Sequence, residues 1–285
     1  MRRSSRAALA ARLAVTAAAV LLCGCPGAGN NLPPAEGGPN VRTVAINGRV
    51  VDFETCLSAG GCKGAENLRV ALFYDPTIVS DKTRPDGAFT LKNVPSGVRA
   101  YLLVSDASGS TQFLSTLQAA PITTEGKDVF GLELYALQRG GGLYDALVAE
   151  ASLNVESRGI YIGQVVSLES GTMKAFQGAT AGAVPYAPVR FVRDNPRFSP
   201  GEKALFDTNR SVTGVFGQFV IASDGAPRDY GVAADSKDYT FTPVLAPLGS
   251  GYVTIGVHRA ERKTSGPLPV DSGGGTQDST VDGGP

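Results

Sequence analysis

The sequence predicts an all-β protein: two β-sandwiches in tandem, joined by one short helix and flanked by termini that cannot build a core. Three observations lead there. Apolar runs of strand length are bounded by turn chemistry, as at Asp86-Gly87 and Pro95-Ser96-Gly97. Four of these runs recur in the same order in the second half of the chain. One stretch between the halves, from Leu143 to Ala151, carries its apolar residues at helical spacing.

The chain opens with a basic segment, Met1-Arg2-Arg3-Ser4-Ser5-Arg6, followed by an apolar run from Leu13 to Leu22 that is too short to span a membrane. This is the layout of an export signal. Leu22-Cys23-Gly24-Cys25 resembles a bacterial lipobox, in which a small residue precedes the cysteine that receives the lipid. Gly24 fits that role and Leu22 does not, so Cys25 is the expected acceptor. The rival reading is an ordinary secretory signal with two incidental cysteines. The lipobox resemblance implies a lipoprotein of the bacterial cell envelope, anchored in a membrane at the periplasmic face or the cell surface. Acyl chains contribute about 0.8 kcal/mol per buried CH₂, and two or more hold stably.

Residues 1–24 thus read as signal peptide and 25–40 as a Gly/Pro-rich flexible tether. Cleavage would remove four of the 26 basic side chains and none of the 26 acidic ones, leaving 22 against 26 and a net charge of −4. Nucleic-acid binding draws on clustered Lys and Arg, so no nucleic-acid partner is expected.

The first sandwich is placed at 41–138. Val44, Ile46, Val50 and Val51 mark its opening strand. Cys56 and Cys62 follow, separated by a Gly-containing spacer. In an oxidising compartment two such neighbours are expected to pair. A metal site would need more ligands, and the single histidine, His258, is far along the chain. A redox pair more often has Cys-x-x-Cys spacing. Leu68 to Phe73 is the second strand, with apolar residues on both faces. Asp86-Gly87, then Ala88 to Leu91, then Pro95-Ser96-Gly97 and Tyr101 to Val104 read as a β-hairpin. Val129 to Leu137 closes the sandwich.

These runs resemble the carboxypeptidase regulatory-like family, also called transthyretin-like or peptidase-associated domains. The matching residues are Gly48-Arg49-Val50-Val51, Asp86-Gly87-Ala88-Phe89 and Pro95-Ser96-Gly97; the Gly-Ala usual before the second strand is absent at Leu68-Arg69-Val70. The resemblance implies a small Greek-key β-sandwich, usually an accessory module and not a catalyst.

Gly140-Gly141-Gly142 interrupts the strand pattern, and 139–158 reads as a helical linker whose Leu143, Tyr144, Leu147 and Val148 pack on one or both sandwiches. A second copy is placed at 159–262. Gly163-Gln164-Val165-Val166 matches Gly48-Arg49-Val50-Val51, and Pro188 to Val192 matches Arg69 to Phe73. Gly217 to Ile221 matches Gly87 to Leu91, and Tyr230 to Ala234 matches Tyr101 to Ser105. Phe216 stands where the family has Asp, which leaves the geometry of that turn open. Two separately cored sandwiches are the expectation. Residues 263–285, rich in Gly, Ser, Thr and Asp, read as a disordered tail.

No catalytic site, metal site or cofactor is expected, and the chain does not read as an enzyme. A serine triad would need His258 as base, and no Gly-x-Ser-x-Gly elbow is present. His258 reads as a structural or surface residue. Asp207-Thr208-Asn209 and Asp235 to Asp238 lack the full set of acids that Ca²⁺ requires. Two function classes remain. One is a non-catalytic, lipid-anchored structural or protein-interaction module. The other is a surface lipoprotein that binds a glycan or peptide, with Tyr186, Phe198, Phe206 and Tyr239 as candidate contact residues; the absence of Trp weighs against sugar stacking.

Overall fold

The computed structural model describes residues 42–56, 61–109, 112–140, 142–169, 172–194 and 205–263. The signal peptide, the tether with Cys25, the tail and Phe198 lie outside the described residues. Within them the chain is all-β, with two helices.

The first copy contains β1 (Thr43–Asp52), α1 (Phe53–Cys56), β2 (Leu68–Leu72), β3 (Ala88–Pro95), β4 (Arg99–Ala100), β5 (Leu102–Asp106), β6 (Thr116–Gln118), β7 (Ile122–Thr123) and β8 (Val129–Ala136). β1 is the centre of one layer, antiparallel to β3 and parallel to β8. The other layer is the antiparallel run β2-β5-β6. Alternation turns Phe89, Leu91 and Val94 of β3 and Leu102 and Val104 of β5 into one cluster, with Val50, Leu68, Val70 and Leu134. The hairpin expected between β3 and β5 is therefore corrected. The two strands lie in opposite layers, each with its own partner, and Pro95-Ser96-Gly97 carries the chain across the core. The residues that flank β2 and β5 meet the second copy. Phe73 packs edge-on to Tyr252 at 5.2 Å, and the Tyr101 hydroxyl donates to the Leu245 carbonyl at 3.4 Å.

Then follow α2 (Gly142–Ala151), β9 (Ile160–Glu169), β10 (Thr172–Ala175), β11 (Thr180–Val184), β12 (Val189–Phe191), β13 (Gln218–Ala222), β14 (Arg228–Asp235), β15 (Tyr239–Phe241), β16 (Val244–Leu248) and β17 (Val253–Arg262). β9 repeats the role of β1: it is antiparallel to β13 and parallel to β17. Gly48 faces Phe89 and Gly163 faces Phe219 in matching register, and a Cβ on either glycine would strike the ring opposite. The turns before β3 and β13 also coincide. Gly87 and Gly217 both have positive φ, 83° and 65°. Each donates to the residue three before it, Arg84 at 2.8 Å and Gly214 at 2.9 Å. Phe216 in place of Asp thus leaves the turn intact.

A buried threonine locks each copy. The Thr83 hydroxyl donates to the Ala65 carbonyl at 2.7 Å and accepts from the Leu68 amide at 3.0 Å. The Thr213 hydroxyl donates to the Phe176 carbonyl at 2.8 Å and accepts from the Ala179 amide at 3.0 Å. Leu68 and Ala179 are therefore equivalent positions, and the strand that follows Ala179 is β11. β11 pairs with β14 as β2 pairs with β5. This corrects the match of Pro188 to Val192 with the second strand of the first copy: β12 leaves that layer and adds to β13 instead.

The copies are joined by more than the helix. β17 pairs with β9 on one edge and, through Val253 to Ile255, in parallel with β6 of the first copy on the other. Besides the two clusters that belong almost entirely to single copies, a third draws on both. It holds Phe53, Leu114 and Leu137 from the first copy, Leu143 and Leu147 from α2, and Ile160, Val220 and Val253 from the second. α2 is also clamped at both ends. The Glu54 carboxylate accepts from the Gly142 and Leu143 amides, each at 3.1 Å, where a negative charge complements the helix dipole. Glu150 near the other end accepts from the Leu205 and Phe206 amides at 2.6 and 3.0 Å.

Candidate binding surfaces

Cys56 and Cys62 form a disulfide at the end of α1. Asp52 caps this single turn by accepting from the Glu54 amide at 3.1 Å, and the loop returns through an Asp52 amide to Lys63 carbonyl bond at 2.9 Å. In the second copy the same place is taken by the β9–β10 ladder. The disulfide thus fixes in one copy what strand pairing fixes in the other, and it ties down the end of α1, which presents Glu54 to α2. Burial pushes the Glu54 carboxyl above the usual range, against the pull of its two amide donors. Replacing both cysteines with alanine is expected to lower stability by about 2–3 kcal/mol, the loop-closure value for so short a bridge. Urea unfolding of the oxidised protein and of that variant measures it, and equal midpoints would show that the bridge contributes nothing.

The aromatic candidates part company. Tyr186, after the cis Val184-Pro185 bond, is 88% exposed. Phe206 is buried in the shared cluster, with the Arg190 guanidinium 5.7 Å from its ring centre. Tyr239 is half-buried and packs edge-on to Phe176 at 5.1 Å. Tyr186 and Tyr239 lie at opposite ends of the β11–β14 ladder and form no common patch. Tyr186 does share a cavity of about 380 Å³ with Arg158, Arg190, Arg228 and the buried Tyr230. Two of the carboxylates that could suggest Ca²⁺ are engaged by cations, Asp207 by Arg210 at 3.7 Å and Asp235 by Lys263 at 3.1 Å.

A larger groove, about 530 Å³, runs beside β3. One wall is β3 itself, from Ala88 to Asn93; the other is the segment 77–82 with Arg84. Lys82, Arg84 and Lys92 line it and have no ion-pair partner among the described residues; Asp81 is its one acid. Sequence reading missed this groove, because an open strand edge leaves no mark in the pattern of side chains.

His258 is fully buried on β17. Its Nε2 and the Tyr161 hydroxyl form a hydrogen bond of 2.7 Å whose direction follows the imidazole tautomer. Nδ1 meets no hydrogen-bond partner among the described residues. Burial pushes the imidazole down to about 4, with the Thr242 backbone, short of hydrogen-bond geometry, offsetting part of the shift. No group of three or more His, Cys, Asp and Glu among the described residues could hold a metal ion, and no helix among them is long and apolar enough to cross a membrane.

No family model matches the chain, and no curated protein matches it. Among solved structures it is similar to GBS52, the minor pilin of Streptococcus agalactiae, with 11% identity over 79% of this chain and 99% of that one and a TM-score of 0.27. The Bacillus anthracis TIE protein matches with 9% identity over 77% of this chain and 34% of that one, at a TM-score of 0.23. The shaft pilin SpaA from Lactobacillus rhamnosus GG matches with 9% identity over 78% of this chain and 99% of that one, at 0.22. Superpositions this loose carry no argument about what this chain does.

Proposed function

We propose that the chain is a non-catalytic envelope protein, held to a membrane by acylated Cys25, that works as a structural or protein-interaction module. In this reading its two copies are carboxypeptidase regulatory-like sandwiches. The observation that supports a structural role is the joint at β17, which runs the sheets of both copies together over a common apolar cluster. Such a joint presents two sandwiches as one unit instead of two modules on a loose stalk. The lock formed by Thr83 and Gly87, repeated at Thr213 and Gly217, supports a duplicated module.

Metabolic labelling with a fatty-acid analogue tests the anchor. The natural chain is expected to be labelled and to sediment with membranes, Cys25→Ala to be unlabelled and released, and Cys23→Ala to behave as the natural chain. Unchanged labelling of Cys25→Ala would remove the anchor from the proposal. A glycan- or peptide-binding role is the second reading. It is favoured by the exposed Tyr186 beside Arg158 and Arg190, an aromatic face with cations at its rim.

A further inference from the structure

Among the described residues, the second copy contains a strand that the first lacks. β12 lies antiparallel on the outer edge of β13, with Val189 opposite Ile221, Arg190 opposite Val220 and Phe191 opposite Phe219. Among the described residues the matching edge of β3 has no partner strand, and β3 pairs only with β1. The cause lies in the segment that follows the second strand. In the first copy, 78–83 stays beside β2, with the Leu72 amide donating to Ile78 at 3.1 Å and the Ser80 amide to Val70 at 2.8 Å. In the second copy the chain crosses to the other layer and becomes β12.

Strand alternation settles which groups are left open. The Val50 amide donates to Gly87 at 2.8 Å, so the pairs at Phe89 and Leu91 also exchange hydrogen bonds with β1. Thr90 and Lys92 then turn their amides and carbonyls outward, into the groove. The counterpart of Thr90 in the second copy is used: Val220 is paired with Arg190, next to a Gln218 carbonyl that accepts from the Val192 amide at 3.2 Å.

We propose that the β3 edge of the first copy takes up an extended acidic segment of another protein as an added antiparallel strand. The inference rests on the protein-interaction reading and names the class of partner. β12 is the template. Its Phe191 is buried and its Arg190 faces solvent, so the added strand alternates apolar inward and charged outward. The inward residues meet Phe89 and the exposed Val79 of the opposite wall. The outward residues lie beside Lys92, and the added strand as a whole runs past Lys82 and Arg84 at the groove, which favours Asp or Glu in the segment. A lysine and a bulge, as at Lys92 and the positive-φ Asn93, are common guards against unwanted strand pairing. Lys82 and Arg84 come from the other wall, and guarding β3 does not require them. Together the three cations make the edge selective by charge.

The test is fluorescence anisotropy of the full chain with a labelled octapeptide alternating valine with aspartate. The expected result is saturable binding, weakened about tenfold in the Lys82→Ser/Arg84→Ser/Lys92→Ser variant, with no binding of the valine–lysine peptide. Hydrogen exchange should show the Thr90 and Lys92 amides gaining protection when the peptide binds. The same peptide N-methylated at every second amide, which cannot extend a ladder, should not bind. Equal binding of the N-methylated peptide, or binding without protection of Thr90 and Lys92, would overturn strand addition. The chain's own tail carries Asp271, Asp278 and Asp282 and no Lys or Arg beyond Lys263. If replacing those three with serine raises peptide affinity, the tail is the occupant and the partner in trans is overturned; unchanged affinity supports it. None of these outcomes alters the labelling of Cys25, so the two proposals fail separately.

Discussion

Phe219→Ala is expected to destabilise the folded chain by about 3–5 kcal/mol. The ring is fully buried, and it lies over Gly163, where no side chain leaves room for it. Its neighbours Tyr161, His258 and Phe191 lie at 5.9, 5.5 and 6.5 Å between ring centres. Three other rings pack around it, so the site cannot collapse easily, and most of the cavity would persist. Phe89→Ala removes the equivalent ring in the first copy, where the residue also lines the open groove beside β3. It should therefore fall at the lower end of the same range. The two rings belong to different clusters, but the sheets and the third cluster tie the copies together. Both variants should accordingly shift one common denaturant transition, followed by circular dichroism. Two separate transitions would mean that the β6–β17 pairing is too weak to couple the copies. A loss below about 1 kcal/mol for Phe219→Ala would mean that the ring is not packed as described.

The parts of this fold that were legible are those governed by local chemistry. Gly48, Phe89, Gly163 and Phe219 sit in alternating runs beside turn residues, and those runs became β1, β3, β9 and β13. Alternation tells which side of a strand faces inward, but not which layer the strand joins; hence β3 and β5 read as a hairpin although they face each other across the core. β11 was overlooked because Thr180-Ala181-Gly182-Ala183-Val184 is mostly small, while the neighbouring Val189-Arg190-Phe191 has the stronger strand character. The signal that could have placed it was Thr213, four residues before Gly217 as Thr83 is four before Gly87. Phe206 looked like a surface contact, and nothing local reveals that Glu150 holds its amide while the shared cluster encloses its ring. The open edge of β3 emerges only by comparison with its occupied counterpart.

Acid should weaken the protein through His258. The imidazole is fully buried and sits at about 4, below its ordinary 6.5, because burial disfavours the charged form. In the unfolded chain it would protonate near the ordinary value. Between the two values the unfolded state binds more protons than the folded one, so stability falls as the pH falls. The contribution is complete above about pH 6.5 and lost progressively toward pH 4, a change of roughly 3 kcal/mol at 1.36 kcal/mol per unit. Protonation would also place a charge in this apolar cluster beside Phe219 and leave Nε2 only a donor, to the Tyr161 hydroxyl oxygen. Glu54 works in the opposite sense. Its carboxyl is raised by burial, so its contribution is full below its ordinary value and is lost as the pH rises through the folded one. Comparing the natural chain with His258→Gln cancels the Glu54 term and isolates the histidine. The variant is expected to be less stable at pH 7.5 but to lose less between pH 6.5 and about 4, in urea titrations at each pH. Parallel pH profiles for the two proteins would show that His258 does not titrate with folding. The cause would then have to be sought in a bond at Nδ1 that keeps the charged ring tolerated.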